Sequence, residues 1–191
     1  MRIMIMGDNN KFLYYWILFL IVFLFSWWSN PSLEGRIYED TYDYINLAED
    51  LSHPSNSLRP FVYPLLIRGA MNVSQDNWSK LIVVMQMLFH AVSIILIFNM
   101  LRRYSDSVFL IFFLALAIGI NPNLVFYTSA LVPIQLFGCY IVINLYLFLT
   151  FLDKYKNTNN VWNIYFFVFG LFSAFTVALR SMYIFGIVPF I

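Results

Sequence analysis

In a chain of 191 residues, 61% hydrophobic and 11% charged, there is too much apolar surface for a water-soluble core to hide, since a soluble domain carries about 25% charged residues. The solvent must therefore be partly lipid. A net charge of +1 without a basic stripe argues against a nucleic-acid partner, and the lone Cys139 excludes an intramolecular disulfide.

A helix rises about 1.5 Å per residue, so a span needs roughly 20 apolar residues. Phe12 to Trp28 is uncharged, aromatic-rich and preceded by Arg2 and Lys11. A cleaved signal peptide is the competing reading, but Ser26-Trp27-Trp28-Ser29 makes a poor cleavage site. The segment reads instead as a retained anchor with a Trp belt at its outer end.

The next stretch, Asn30 to Lys80, interrupts the apolar pattern and holds seven of the ten acidic residues: Glu34, Glu39, Asp40, Asp43, Glu49, Asp50 and Asp76. Tyr44, Leu47, Ala48 and Leu51 stand at helical spacing. This predicts an amphipathic helix from Thr41 to about Ser52, capped by Asp40 and lying apolar side down on the membrane face. Asp40 as a plain N-cap and Asp40 as a catalytic carboxylate are compatible, because a cap side chain points off the helix end. Asp43 follows one turn later on the same side, so the pair has the spacing to share a proton or a divalent cation; such pairs also serve simply to complement the helix dipole. Glu49 and Asp50 fall near the helix end and read as surface.

Arg59-Pro60-Phe61-Val62-Tyr63-Pro64 follows, with Pro60 and Pro64 stiffening the return to the membrane. Arg59 has the planar fork for a phosphate, or meets lipid headgroups at the interface. Tyr63 reads as a belt residue unless a sugar stacks on it. Asn72-Val73-Ser74 and Asn77-Trp78-Ser79 match the N-glycosylation pattern, which arises readily by chance.

Leu81 to Leu101, between Lys80 and Arg102, is the second span. His90 within it is expensive if charged and reads as a neutral helix-to-helix hydrogen bonder; no second His or Cys stands at metal spacing. Ser107 to Leu152 carries no charge and is too long for one helix, so Asn121-Pro122-Asn123 supplies a break. Helices are expected over 107–121 and 131–152, with a short interfacial piece from Leu124 to Ala130. After the polar turn 157–160, Val161 to Leu179 spans again and ends at Arg180, which snorkels or faces an anionic site. The predicted fold is all-α: a polytopic transmembrane helix bundle with an amphipathic helix in the first outer loop. Residues 181–191 are apolar and about half a span long, so the chain is expected to be the front part of a larger polytopic domain.

Arg2 and Lys11, Arg102 and Arg103, and Lys154 and Lys156 fall on one side of this arrangement. The positive-inside rule makes that side cytoplasmic, with the amino terminus inside and loop 30–80 outside. No G-x-S-x-G, Walker loop, G-x-G-x-x-G or H-E-x-x-H is present, which leaves nucleotide-dependent chemistry without a binding motif.

Asp40-Thr41-Tyr42-Asp43-Tyr44-Ile45-Asn46-Leu47-Ala48 resembles the first outer-loop motif of GT-C-type polytopic glycosyltransferases. Arg59-Pro60-Phe61-Val62-Tyr63-Pro64-Leu65 is similar to the Arg-Pro-x-Tyr-Pro-Leu element that follows it there, and Gln86 supplies the Gln-bearing span. Members include protein O-mannosyltransferases, aminoarabinose transferases of lipid A and bacterial cell-surface sugar transferases. Two departures stand out. One extra residue separates Pro60 from Tyr63, and Leu131-Val132-Pro133-Ile134-Gln135 lacks the acid that members often carry after the third span's outer turn.

The resemblance implies an integral protein of a bacterial inner membrane, acting in cell-envelope polysaccharide biosynthesis. Its implied donor is a polyprenyl-phosphate sugar, and its acceptor a hydroxyl of a glycan, lipid or protein. Asp40 would be the catalytic base of an inverting transfer, with Asp43, Tyr44, Arg59, Tyr63 and Arg180 binding substrate; no particular cofactor is implied, and a divalent metal at Asp40 and Asp43 stays open. The alternatives are a transporter or flippase of lipid-linked sugars, or an inactive membrane scaffold. Transporters usually set ionisable groups near the bilayer midplane, whereas the charges here gather in the loop.

Overall fold

The computed structural model describes residues 8–50, 61–158 and 164–179. The described chain forms α1 (Asp8–Ser29), α2 (Glu39–Glu49), α3 (Val62–Val73), α4 (Trp78–Leu101), α5 (Val108–Gly119), α6 (Pro122–Tyr127), α7 (Ile134–Thr158) and α8 (Ile164–Leu179). Among the described residues there is no strand, only one isolated bridge between Arg36 and Ala130. The fold is an all-α bundle. Among the described residues three helices, over Phe12–Ser29, Trp78–Leu101 and Ile134–Tyr155, are long and apolar enough to cross a membrane, which fits an integral membrane protein. Five spans were expected; α5 and the described part of α8, 12 and 16 residues long, are shorter than the roughly 20 residues a crossing needs.

α4 is the central element, packed on α1, α5 and α7, while α8 packs on α7 and reaches α3. A membrane-level core joins α1, α4 and α5 through Leu18, Val22, Ala91, Ile94, Phe98, Ile111 and Ala115. Gly119 ends α5 where a Cβ would lie 2.5 Å from Val22 Cγ2 and 3.2 Å from Ile94, so a residue without a side chain lets three helices meet at one level. A second core, at the end of the bundle that carries α2 and α3, gathers Tyr44, Ala48, Val62, Tyr63, Ile67, Ile82, Val83, Met87, Leu131 and Leu136. That end is the outer one of the charge reading. At the opposite end Arg103 pairs with Asp153 at 2.7 Å and donates to Thr150 Oγ1 at 3.1 Å. α4 and α7 thus run in the same direction, with α5 as the return.

The helix boundaries follow local chemistry. α1 ends where Ser29 donates to the Ser26 carbonyl and Pro31 cannot continue the ladder. Asn121-Pro122 breaks the apolar run as expected and also starts α6. The Asn121 side chain accepts from the Asn123 N–H at 3.0 Å, and Pro122 takes the first helical position, where its missing N–H costs nothing. The interfacial piece expected over Leu124 to Ala130 is therefore α6 followed by a turn. α7 begins at Ile134 rather than 131, because 131–133 bends and turns with the Leu131 and Val132 carbonyls taken up by Thr41 and Gln86.

Two outer-loop expectations are corrected. The amphipathic helix begins at Glu39, not Thr41, and Tyr38 rather than Asp40 holds the cap position. The Thr41 hydroxyl turns back to accept the Tyr38 N–H at 2.9 Å, and Asp40 stands in the first turn, two residues past the cap position. Its buried residues, Thr41, Tyr44 and Ala48, pack on α3 and residue 131 rather than resting directly on lipid. The segment after Pro60 was expected to be a stiff connection; it is helix α3. Pro64 sits in the first turn, where N–H groups have no intrahelical acceptor, so the ring is tolerated.

Candidate functional site at the α2–α3 end of the bundle

The acidic loop is anchored by an arrangement that joins three distant parts of the chain. The Arg36 N–H donates to the Ser129 carbonyl at 2.7 Å, and the Leu131 N–H donates to the Arg36 carbonyl at 2.9 Å. Five residues on, Thr41 Oγ1 donates to the Leu131 carbonyl at 3.0 Å. From below, the Gln86 side-chain amide donates to the carbonyls of Ala130 at 3.1 Å and Val132 at 3.4 Å. Residues 128–133 are all buried. A non-helical segment at that position must find partners for its backbone polar groups, and α2, residue 36 and α4 supply them. Gly35 is part of the fit, since a Cβ there would lie 2.6 Å from the Leu131 side chain.

On this platform Asp40 is exposed and Asp43 is half-buried, one turn apart in the first half of α2. Thr41, between them, is fully buried and hydrogen-bonded, so the helix start is fixed while the Asp40 carboxylate faces solvent. Arg36 also belongs here. Its guanidinium carbon lies 4.0 Å from the centroid of the Phe126 ring, a cation–π stack that holds the side chain over α6.

Tyr63 departs from both of its expected roles. It is 0% exposed, so it is not a belt residue. Its ring is met edge-on by Tyr44, itself buried, with centroids 5.3 Å apart, so neither ring offers a face to a sugar. Among the described residues the Tyr63 hydroxyl and Gln86 Oε1, both buried, meet no hydrogen-bond partner. Burial pushes the Tyr63 phenol far up from its ordinary range, and Tyr44 adds to the rise; Gln86 is near enough to offset it slightly, short of a well-formed hydrogen bond. Because an unpaired buried hydroxyl costs rather than stabilises, Tyr63→Phe is expected to leave unfolding of the purified protein unchanged or raise it by up to about 1 kcal/mol. A loss of several degrees in melting temperature would show that the hydroxyl is paired after all.

One helical turn below Gln86, His90 joins α4 to α5 and α7. Its Nε2 lies 2.9 Å from the Gly119 carbonyl and its Nδ1 3.1 Å from the Gln135 amide nitrogen. A carbonyl only accepts and an amide NH₂ only donates, so these partners suit the neutral tautomer with its proton on Nε2. His90 is thus the helix-to-helix hydrogen bonder that the sequence suggests. Among the described residues no group of three or more His, Cys, Asp or Glu side chains gathers to hold a metal ion.

Arg59 and Arg180, the expected phosphate ligands, lie outside the described residues. Arg36 and Phe126 were not singled out by sequence reasoning, and Thr41 and Gln86 only as members of a motif. Their partners stand far away in the chain and are mostly backbone carbonyls or a ring face, which leave no local pattern. Comparison with known protein families, with curated proteins and with solved structures finds no match to this chain.

Proposed function

We propose that this chain is a glycosyltransferase, or the amino-terminal part of one, that moves a sugar from a polyprenyl-phosphate carrier to a hydroxyl acceptor at the outer face of the membrane. The observation that carries the reading is the pinned helix start: an exposed Asp40 carboxylate on a turn whose next residue, Thr41, is buried and bonded to the Leu131 carbonyl. A base must be held at fixed reach from the proton it takes, and Thr41 and Gly35 provide that rigidity at the edge of an apolar bundle. The residue order of the loop, which resembles that of GT-C enzymes, supplies the substrate class.

In the proposed reaction the Asp40 carboxylate takes the acceptor's hydroxyl proton as the acceptor oxygen forms a bond to the anomeric carbon. The bond from that carbon to the carrier phosphate breaks, and the electron pair leaves with the phosphate. A single attack from the opposite face inverts the anomeric centre. The departing phosphate is already an anion, so an arginine that stabilises it serves where an acid would otherwise be needed. Asp43 lies on the same side of α2 as Asp40 and is assigned to the acceptor. Arg59 and Arg180 are assigned to the carrier phosphate on the resemblance alone.

The second reading, a transporter of lipid-linked sugars, draws on the buried polar line of Gln86, His90, Gln135 and Asn144 inside the bundle. Gln135 bonds to His90 across α7 and α4, and Gln86 and His90 bond to backbone carbonyls, which favours a bracing role. The two readings separate in vesicles loaded with a polyprenyl-phosphate sugar labelled in the sugar. Transfer of label to an acceptor, with inverted anomeric configuration by NMR, supports the enzyme. Label that crosses the bilayer while still on its carrier supports the transporter, and label that does neither leaves a scaffold.

A further inference from the structure

The interhelical contacts give the depth of the outer platform. Val22, Ile94 and Gly119 share one level, because a Cβ on Gly119 would touch the other two. Along α4, Arg102 lies eight residues below Ile94, about 12 Å. Along α1, position 11 lies eleven residues below Val22, about 16 Å. Those cations mark the inner edge of a hydrocarbon layer about 30 Å thick, so the Val22–Ile94–Gly119 level is close to its middle. Gln86 lies eight residues above Ile94, about 12 Å. The carbonyls it holds, and with them the Arg36–Ala130 bridge, therefore sit near the outer hydrocarbon boundary, within about 3 Å of it.

Non-helical backbone at that depth is tolerated only where protein satisfies it, and the hydrogen bonds around residues 36 and 128–132 do so. Arg36 is then notable. It is the sole lysine or arginine between Lys11 and Arg59. Arg36 is exposed, yet its side chain is held over the ring of Phe126, a residue itself 42% exposed. A guanidinium fixed at this height, with an apolar ring beneath it, meets two kinds of chemistry: phosphate esters at headgroup level and acyl or prenyl chains just below.

We propose that Arg36, stacked on Phe126, is a binding residue for a lipid phosphate. The phosphate ester engages the guanidinium, and the tail runs down past the exposed apolar residues of α6 and of the adjoining end of α5, among them Leu124 and Ile118. This inference deepens the proposed function, since it names a phosphate ligand for that site within the described fold. The shared chemistry is a phosphate ester on an apolar tail, and the carrier and an ordinary phospholipid are told apart by the test.

Native mass spectrometry of the purified full chain in a neutral detergent tests it, with titration by a polyprenyl monophosphate, the corresponding free polyprenol and phosphatidylglycerol. Wild type is expected to bind the phosphate-bearing lipids at least tenfold more tightly than the alcohol. Arg36→Ala should remove that preference, Arg36→Lys should keep part of it, and Phe126→Leu should weaken it severalfold. The bridge at residue 36 runs through the backbone, so melting temperatures of these variants should match wild type and exclude misfolding. Equal phosphate preference in Arg36→Ala, or none in wild type, would overturn the inference. Arg36-dependent binding confined to phosphatidylglycerol would uphold the residue's role and count against a polyprenyl-phosphate donor.

Discussion

Replacing Asp40 with Asn is expected to lower sugar transfer by about 10²–10⁴-fold, the range for loss of a positioned general base. Folding and membrane insertion should be unchanged, because Asp40 is exposed and the neighbouring contacts that fix α2 belong to Thr41 and Tyr44. Thermal unfolding should stay within about 0.5 kcal/mol of wild type, as for surface substitutions in general. Asp43→Asn is the informative companion. Asp43 is half-buried one turn along the helix, so a role in holding the acceptor predicts a smaller drop, expressed mainly in KM. Asp40→Asn turning over at the parental rate would remove Asp40 as the base. A comparable loss in both variants would instead indicate a shared proton or cation.

Gln86→Leu is expected to have the largest effect on stability. Leucine keeps the approximate bulk but strips the buried carbonyls of Ala130 and Val132 of their side-chain donor. A buried group left unsatisfied costs about 1–3 kcal/mol. The variant also removes the unpartnered Gln86 Oε1, which offsets part of the loss. The net expectation is roughly 2–4 kcal/mol, or a melting temperature on the order of 10 °C lower for a chain of this size. Because the same carbonyl segment anchors Arg36 and Thr41, protease sensitivity should rise first around residues 30–50. A Gln86→Leu protein with parental stability would mean that residues 128–133 hold their place without α4.

The two variants probe different layers of what the sequence made readable. The bundle was legible because burial in lipid demands long uncharged runs, and α1, α4 and α7 fall on such runs to within a few residues. The break at Asn121-Pro122 was legible for a chemical reason, since the pair that ends one helix also caps the next. α3 was missed because its prolines suggested an extended connection, although Pro64 occupies a first-turn position that needs no N–H. Asp40 was read as a cap, and the Thr41 hydroxyl beside it turned out to answer the cap residue's N–H. Both residue types suit a helix start, so composition alone does not choose between them.

The platform itself had no sequence signature. Its bonds join residue 36 to residues 129 and 131, residue 41 to 131, and residue 86 to 130 and 132, and the acceptors are backbone carbonyls that every residue possesses. Only a buried polar residue such as Gln86 hints that a partner is needed. Tyr63 illustrates the opposite failure. An aromatic residue between prolines near a membrane surface suggests a belt, yet packing against Tyr44 put it in the core.

The claim beneath this account is that the acidic start of α2 stands at the outer water–lipid boundary. Cys139 is the chain's only cysteine and is buried, so a single new thiol at Asp40→Cys reports its own position. In intact cells a membrane-impermeant maleimide added from outside is expected to label Asp40→Cys fully, and an Arg103→Cys protein only after permeabilisation. Labelling in the reverse pattern would set the loop on the cytoplasmic side and contradict the account.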